Sequence, residues 1–176
     1  MRLAAIDVGT NSVHMVIADV NRDGNIDVVD RVKETVRLGR RAFETGTLGK
    51  EAMDLAVRTL SNFQKLIKLR RVNRMRAVAT SAVRETRNSA EFVARIRRET
   101  GIKVEIIPGA EEARLIFVAA RHAMGLEGGP HLFFDLDPFG IDLDPRRTHQ
   151  LHACGYPRRH SSTPLHSADE WKDRGQ

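Results

Sequence analysis

The residues best equipped for chemistry begin at Asp7, which ends an apolar run within AAIDVGTNSVHM (residues 4–15). Gly9, Thr10, Asn11 and Ser12 follow at once, and the chain turns apolar again at Val13. A glycine permits close backbone approach, and hydroxyl, amide and backbone donors beside it can surround phosphate oxygens. A neighbouring carboxylate can hold Mg²⁺ directly or through water. The string serves equally as a plain turn between two strands. A strand rather than a helix is expected after it, which separates it from a Walker loop.

Two further stretches carry matching chemistry. AVATSAVRETRN (77–88) presents Thr80 and Ser81 after an apolar run, with Arg84 and Arg87 behind them. Hydroxyls with a guanidinium fit phosphate; a serine cap on a short helix with exposed arginines fits the string as well. IIPGAEEARLIF (106–117) ends a strand at Pro108 and opens a helix with Glu111 and Glu112. Acids in a first turn complement the helix dipole, and a glutamate there can also deprotonate a water for attack on phosphorus. Leu115 and Ile116 are expected to point inward, which puts the two glutamates on different faces. A fourth stretch, DVNRDGNIDVVD (19–30), has the acidic spacing of a calcium loop. It lacks the flanking helices such a loop needs, so a hairpin with Asp23-Gly24 at its turn is the expected structure.

The elements that must position these residues are readable from periodicity. LAAIDV and VHMVIADV read as strands around GTNS, and IDVVDRVKETVRL (26–38) as a third, forming a β-meander. Met53, Ala56, Val57, Leu60, Phe63, Leu66 and Ile67 recur at helical spacing and predict a helix over 50–69. RAVAT (76–80) and KVEIIP (103–108) predict strands. A helix is expected over 89–101, with Ser89 as cap and Gly101 as stop, and another over 110–125. HLFFDL (131–136) predicts a last strand. Three hairpin-linked strands followed by alternating helix and strand specify an α/β protein with a mixed sheet and helices on its faces.

At 176 residues the chain is one domain with an appendage. Such a length buries roughly 70% of its unfolded surface, enough for a true core. No apolar run approaches the ~20 residues of a membrane span, and MRLAAIDVGT reads as a first strand rather than a signal peptide. One cysteine, Cys154, excludes an internal disulfide framework. A cytoplasmic location is the resulting expectation. The net charge of +6 suits a polyanionic partner. Aromatic content of 5% and the lack of a stacking or helix-turn-helix pattern weigh against nucleic acid.

Composition changes beyond Asp137. The only Trp, Tyr and Cys lie there (Trp171, Tyr156, Cys154), in a stretch with no helical or alternating period. Residues 137–176 are therefore expected to form an irregular or disordered tail. So abrupt a change is also what a shifted reading frame, or a foreign tail on a truncated chain, would produce.

Four ordered motifs, AAIDVGTNSVHMVIA, KETVRLG, AVATSAVRETRN and VEIIPGAEEARLIF, resemble the exopolyphosphatase / guanosine pentaphosphate phosphatase (Ppx/GppA) family over residues 1–136. The resemblance implies the first lobe of an actin/ribonuclease-H-like fold, with phosphates held in a cleft between two lobes. It implies hydrolysis of a terminal phosphoanhydride of polyphosphate or guanosine pentaphosphate (pppGpp). Gly9, Thr10, Asn11 and Ser12 would form the phosphate loop, with Thr80, Ser81 and Arg84 contacting phosphate. Lys33 and Arg37 would contact the polyanion. Glu112 would be the catalytic base, with Glu111 the alternative one residue away, and Mg²⁺ would sit on the side of Asp7 and Asp135. Where the family has a triple glycine, this chain reads DLDPFGIDL (135–143), with Asp137, Pro138 and Phe139 in place of the glycines. Proline removes a donor, an added carboxylate repels phosphate, and Phe139 blocks backbone approach. Impaired turnover is therefore expected, with a non-catalytic polyanion binder as the alternative. Self-association through the face that would meet a second lobe is a further expectation.

Overall fold

The computed structural model describes residues 1–124. Its centre is a five-stranded mixed sheet of order β3-β2-β1-β4-β5. The strands are β1 (Arg2–Val8), β2 (Ser12–Val20), β3 (Ile26–Thr35), β4 (Arg74–Ala79) and β5 (Val104–Ile106). The first three form an antiparallel meander, while β4 and β5 lie parallel to β1. The helices are α1 (Gly39–Thr45), α2 (Lys50–Leu69), α3 (Ser81–Arg84), α4 (Ser89–Thr100) and α5 (Gly109–Met124). This is the actin/ribonuclease-H-like arrangement expected from the sequence.

Alternation decides which face of the sheet is buried. Ala4, Ile6 and Val8 of β1 and Val13, Met15 and Ile17 of β2 point to one side, where α2 contributes Leu60 and Phe63 and α4 contributes Phe92 and Ile96. Period-2 strands and period-3.6 helices thereby share one apolar layer. A bulge between Ile17 and Ala18 lets both consecutive residues be buried. Edge strand β3 leaves Ile26 and Val28 about half exposed. Among the described residues, no helix is long and apolar enough to cross a membrane.

The structure differs from the sequence reading at several points. The third strand stops at Thr35 rather than Leu38, because Val36 and Arg37 turn to bond Asn11. Ser89 is the first residue of α4 and not its cap. Asn88 holds the cap position without a side-chain cap bond; its amide instead pairs with both backbone groups of Leu48, at 2.8 and 3.1 Å. Gly101 does end α4, at φ 75 with its N–H on the Arg97 carbonyl. Helix α1 was not anticipated, whereas α3 is the short helix that one of the two readings of AVATSAVRETRN expected, with Thr80 rather than a serine in the cap position. The acidic 19–30 stretch is a hairpin, with Asn21 Oδ1 accepting from Asp23 and Asn25 N–H and Gly24 at φ 84. The strand expected at 131–136, Asp135 and the tail expected from 137 onward lie outside the described residues.

Candidate active site

Parallel pairing brings the motifs together. Val8, Ala79 and Ile106 occupy one register row, so β1, β4 and β5 end side by side. Gly9–Ser12, Thr80–Arg84 and Pro108–Glu112 therefore leave the sheet at the same edge. The reversal into β2 places Thr35 opposite Ser12, so residues 36–39 arrive there too. Ligands of such sheets bind outside the carboxyl ends of the parallel strands.

The first turn is closed by the Gly9 N–H on the Ser12 carbonyl at 3.1 Å. It is braced from outside the motif: Val36 and Arg37 N–H both bond the Asn11 carbonyl at 2.9 Å, and Gly39 N–H bonds that of Thr10 at 2.9 Å. Thr10 Oγ1 lies 2.9 Å from Ser81 Oγ, linking the turn to the first residue of α3. Arg37 holds φ 54, an uncommon left-handed conformation for a side-chain-bearing residue. The bracing segment is what the KETVRLG motif contributes, and its turn geometry was not visible in a pattern read as strand. Gly39 is the positioning residue that sequence reasoning missed: a Cβ there would stand 2.3 Å from Thr10 Cγ2.

Arg84 Nη1 donates to Glu112 Oε2 and to the Ile107 carbonyl, both at 3.0 Å. This joins the second and third motifs across β4 and β5. Glu111 faces elsewhere. Arg114 on its own helix chelates it at 2.7 and 2.9 Å, and Arg76 of β4 approaches to 3.7 Å. The glutamates thus diverge as expected, while Leu115 and Ile116, expected to point inward, are half-buried. Arg87 leaves the site: its guanidinium donates to the Thr45 carbonyl at 3.1 Å, tying down the end of α1. Lys33 lies on β3 opposite His14, itself opposite Asp7 on β1, so all three share a sheet face. Lys33 and Arg37 are exposed.

Arg114 beside Glu111 holds that carboxyl below the usual glutamate range, and Arg76 adds to the effect. The sign of the consequence follows from linkage. Pairing stabilises the fold in full above the ordinary glutamate range and is lost as pH falls through the lowered folded value. In a carboxyl NMR titration, Glu111 should therefore protonate below a free glutamate, and Arg114→Ala should move it upward. An unchanged titration in that variant would contradict the assignment.

For a metal, the donor set is open-sided. Asp7 is exposed at the strand end, and its Oδ2 turns toward Gly9, 3.6 Å from where a Cβ would be. No group of three or more His, Cys, Asp or Glu residues gathers among the described residues. Mg²⁺ commonly binds through one or two carboxylates, with water and substrate phosphate filling the rest. Asp7, exposed beside the Gly9–Ser12 turn, fits that pattern.

A meander-led mixed sheet with hydroxyl-rich turns, a guanidinium and a glutamate gathered at one end defines the α/β architecture and its candidate site. Residues 16–137 match the Ppx/GppA phosphatase family, and the chain belongs to that family. Exopolyphosphatase 1 of Mycobacterium leprae is 34% identical over 143 residues, covering 81% of this chain and 42% of the relative. Exopolyphosphatase 2 of Mycobacterium tuberculosis (strain H37Rv) is 37% identical, covering 77% and 45%. The crystal structure of the Aquifex aeolicus Ppx/GppA family member superposes with a TM-score of 0.68 at 33% identity, over 74% of this chain and 45% of that one. An exopolyphosphatase from Cytophaga hutchinsonii gives 0.67 at 37% identity, over 69% and 39%. The chain spans less than half the length of these relatives.

Proposed function

We propose that residues 1–124 form one wall of a cleft in which the terminal phosphoanhydride of inorganic polyphosphate is hydrolysed. The observation that carries this reading is the convergence of Gly9–Ser12, Ser81, Arg84 and Glu112 at one sheet end, linked by the Thr10–Ser81 and Arg84–Glu112 contacts. Backbone N–H groups and hydroxyls of the turn hold the terminal phosphate, with Ser81, the first residue of α3, closing on it and the buried Thr80 just before it. Arg84 keeps the Glu112 carboxylate oriented and offers its remaining N–H groups to the anion. Glu112 accepts a proton from water as the water oxygen bonds to phosphorus. The bond from phosphorus to the bridging oxygen breaks, and the shortened chain leaves with the electron pair. Asp7 would hold Mg²⁺, which would supply charge neutralisation. Lys33 and Arg37 extend positive charge away from the reacting end.

Guanosine pentaphosphate ends in the same anhydride and is the second substrate this wall accommodates. The homologues named exopolyphosphatase favour polyphosphate as the first. The test is calorimetric binding of polyphosphate to the whole chain, with pppGpp and duplex DNA as competitors. Saturable binding that weakens with salt, drops several-fold in Arg84→Ala and resists DNA is expected. Binding indifferent to Arg84 would reduce the chain to a diffuse basic surface. Phosphate release in parallel, with Glu112→Gln as control, separates turnover from binding alone.

A further inference from the structure

Ser12 does not stand alone at the end of the turn. Its Oγ lies 2.7 Å from Nε2 of His14, two residues along β2 on the same face, and both are half-buried. The strand fixes this pair, because side chains at i and i+2 project from one face of the sheet. Asp7 and Lys33 are the cross-strand neighbours of His14, and Thr35 is that of Ser12.

A serine hydroxyl has one proton and two lone pairs. If Nε2 were bare, Ser12 would spend its proton on the ring and present only lone pairs to an anion. With the proton on Nε2, the ring donates to Oγ and the serine proton is free to point elsewhere. We propose that His14 is a positioning residue whose Nε2–H holds the Ser12 hydroxyl so that its proton faces an incoming phosphate oxygen. The proposal rests on the phosphate-loop reading above. It assigns to His14 a role that acts entirely through Ser12: the imidazole touches no phosphate, yet without it the hydroxyl rotor is unlocked and its proton undirected.

Two measurements on the whole chain test this. Long-range ¹H–¹⁵N NMR of the histidine rings, without ligand, reports which nitrogen of His14 carries the proton. Nε2–H is expected, and a bare Nε2 overturns the assignment. The second is a double-mutant cycle on tripolyphosphate affinity. His14→Phe should weaken binding about tenfold, the scale of one hydrogen bond to a charged group. In a Ser12→Ala background it should change binding less than twofold, while His14→Gln, which retains an amide N–H, should keep most of the affinity. Equal losses in both backgrounds, or losses that track a lowered melting temperature, would make His14 a structural residue only. A wild-type chain that fails to bind tripolyphosphate overturns the phosphate-loop reading itself, a result distinct from either failure of His14.

Discussion

Glu112→Gln should lower phosphate release from polyphosphate by about two to four orders of magnitude, the usual worth of a positioned general base. The setting for this measurement is residues 1–136 joined to the second lobe of an intact exopolyphosphatase. The neutral amide keeps the shape of the side chain and still accepts from Arg84, so tripolyphosphate affinity should change little. The paired control is Glu111→Gln. Glu111 is chelated by Arg114 and approached by Arg76. A carboxylate held in its anionic form by two arginines is a weaker base, so this variant should keep most of its activity. Activity lost in Glu111→Gln and retained in Glu112→Gln would shift the base by one residue.

Gly39→Ala should disable the loop without touching a residue of the GTNS string. Its new Cβ would meet Thr10 Cγ2 at 2.3 Å and Phe43 Cε2 at 3.0 Å. Thr10 cannot easily rotate away, because its hydroxyl is committed to Ser81 and its carbonyl to the Gly39 N–H. The clash must therefore move the turn. Overpacking of this kind costs about 1–3 kcal/mol, readable in urea unfolding. Tripolyphosphate affinity should fall by at least about tenfold, one lost charged hydrogen bond being of that order. Thr10→Ser removes the offending methyl and keeps the hydroxyl, so the double variant should recover both quantities. A Gly39→Ala protein that unfolds and binds like the parent would show that the loop does not need this clamp.

Much of the architecture was legible because the core rests on long periodic segments. Helix α2 runs over 50–69 as its apolar spacing predicted, and the three-strand meander followed from alternation around two turn signals. Of the short helices, α1, of 7 residues, was not legible, and α3, of 4, was only one of two open readings. Below two turns there is too little sequence for a period to show, and such helices persist through tertiary contacts. Arg87 on the Thr45 carbonyl and Gly46 at φ 66 do that for α1. The cap expected at Ser89 falls one residue early, at Asn88, whose side chain is engaged by the Leu48 backbone 40 residues away rather than by its own helix.

At the site, residue types were legible and partnerships were not. Asp7, Gly9, Thr10, Ser81, Arg84 and Glu112 suited phosphate chemistry and plain structural roles alike, and only the resemblance to the Ppx/GppA family implied the former. Nothing local said that Thr10 would meet Ser81 or Arg84 would meet Glu112, since sheet order decides both. Equally hidden was the division of labour between the arginines of AVATSAVRETRN, where Arg84 faces the third motif and Arg87 braces a helix end.

The parallel pairing of β1 with β4 has a kinetic consequence. The meander closes through hairpins, whereas Leu3 reaches Arg74 only after the whole of α2 has crossed the sheet. Contacts of such sequence separation form slowly, because loop closure must precede them. The Thr10–Ser81 link spans 71 residues and depends on that pairing. On the proposed reading, a polyphosphate bound across this seam would have little to grip in a chain that has formed only the meander. Its presence should leave the folding rate nearly unchanged and slow unfolding instead, lengthening the lifetime of the native lobe.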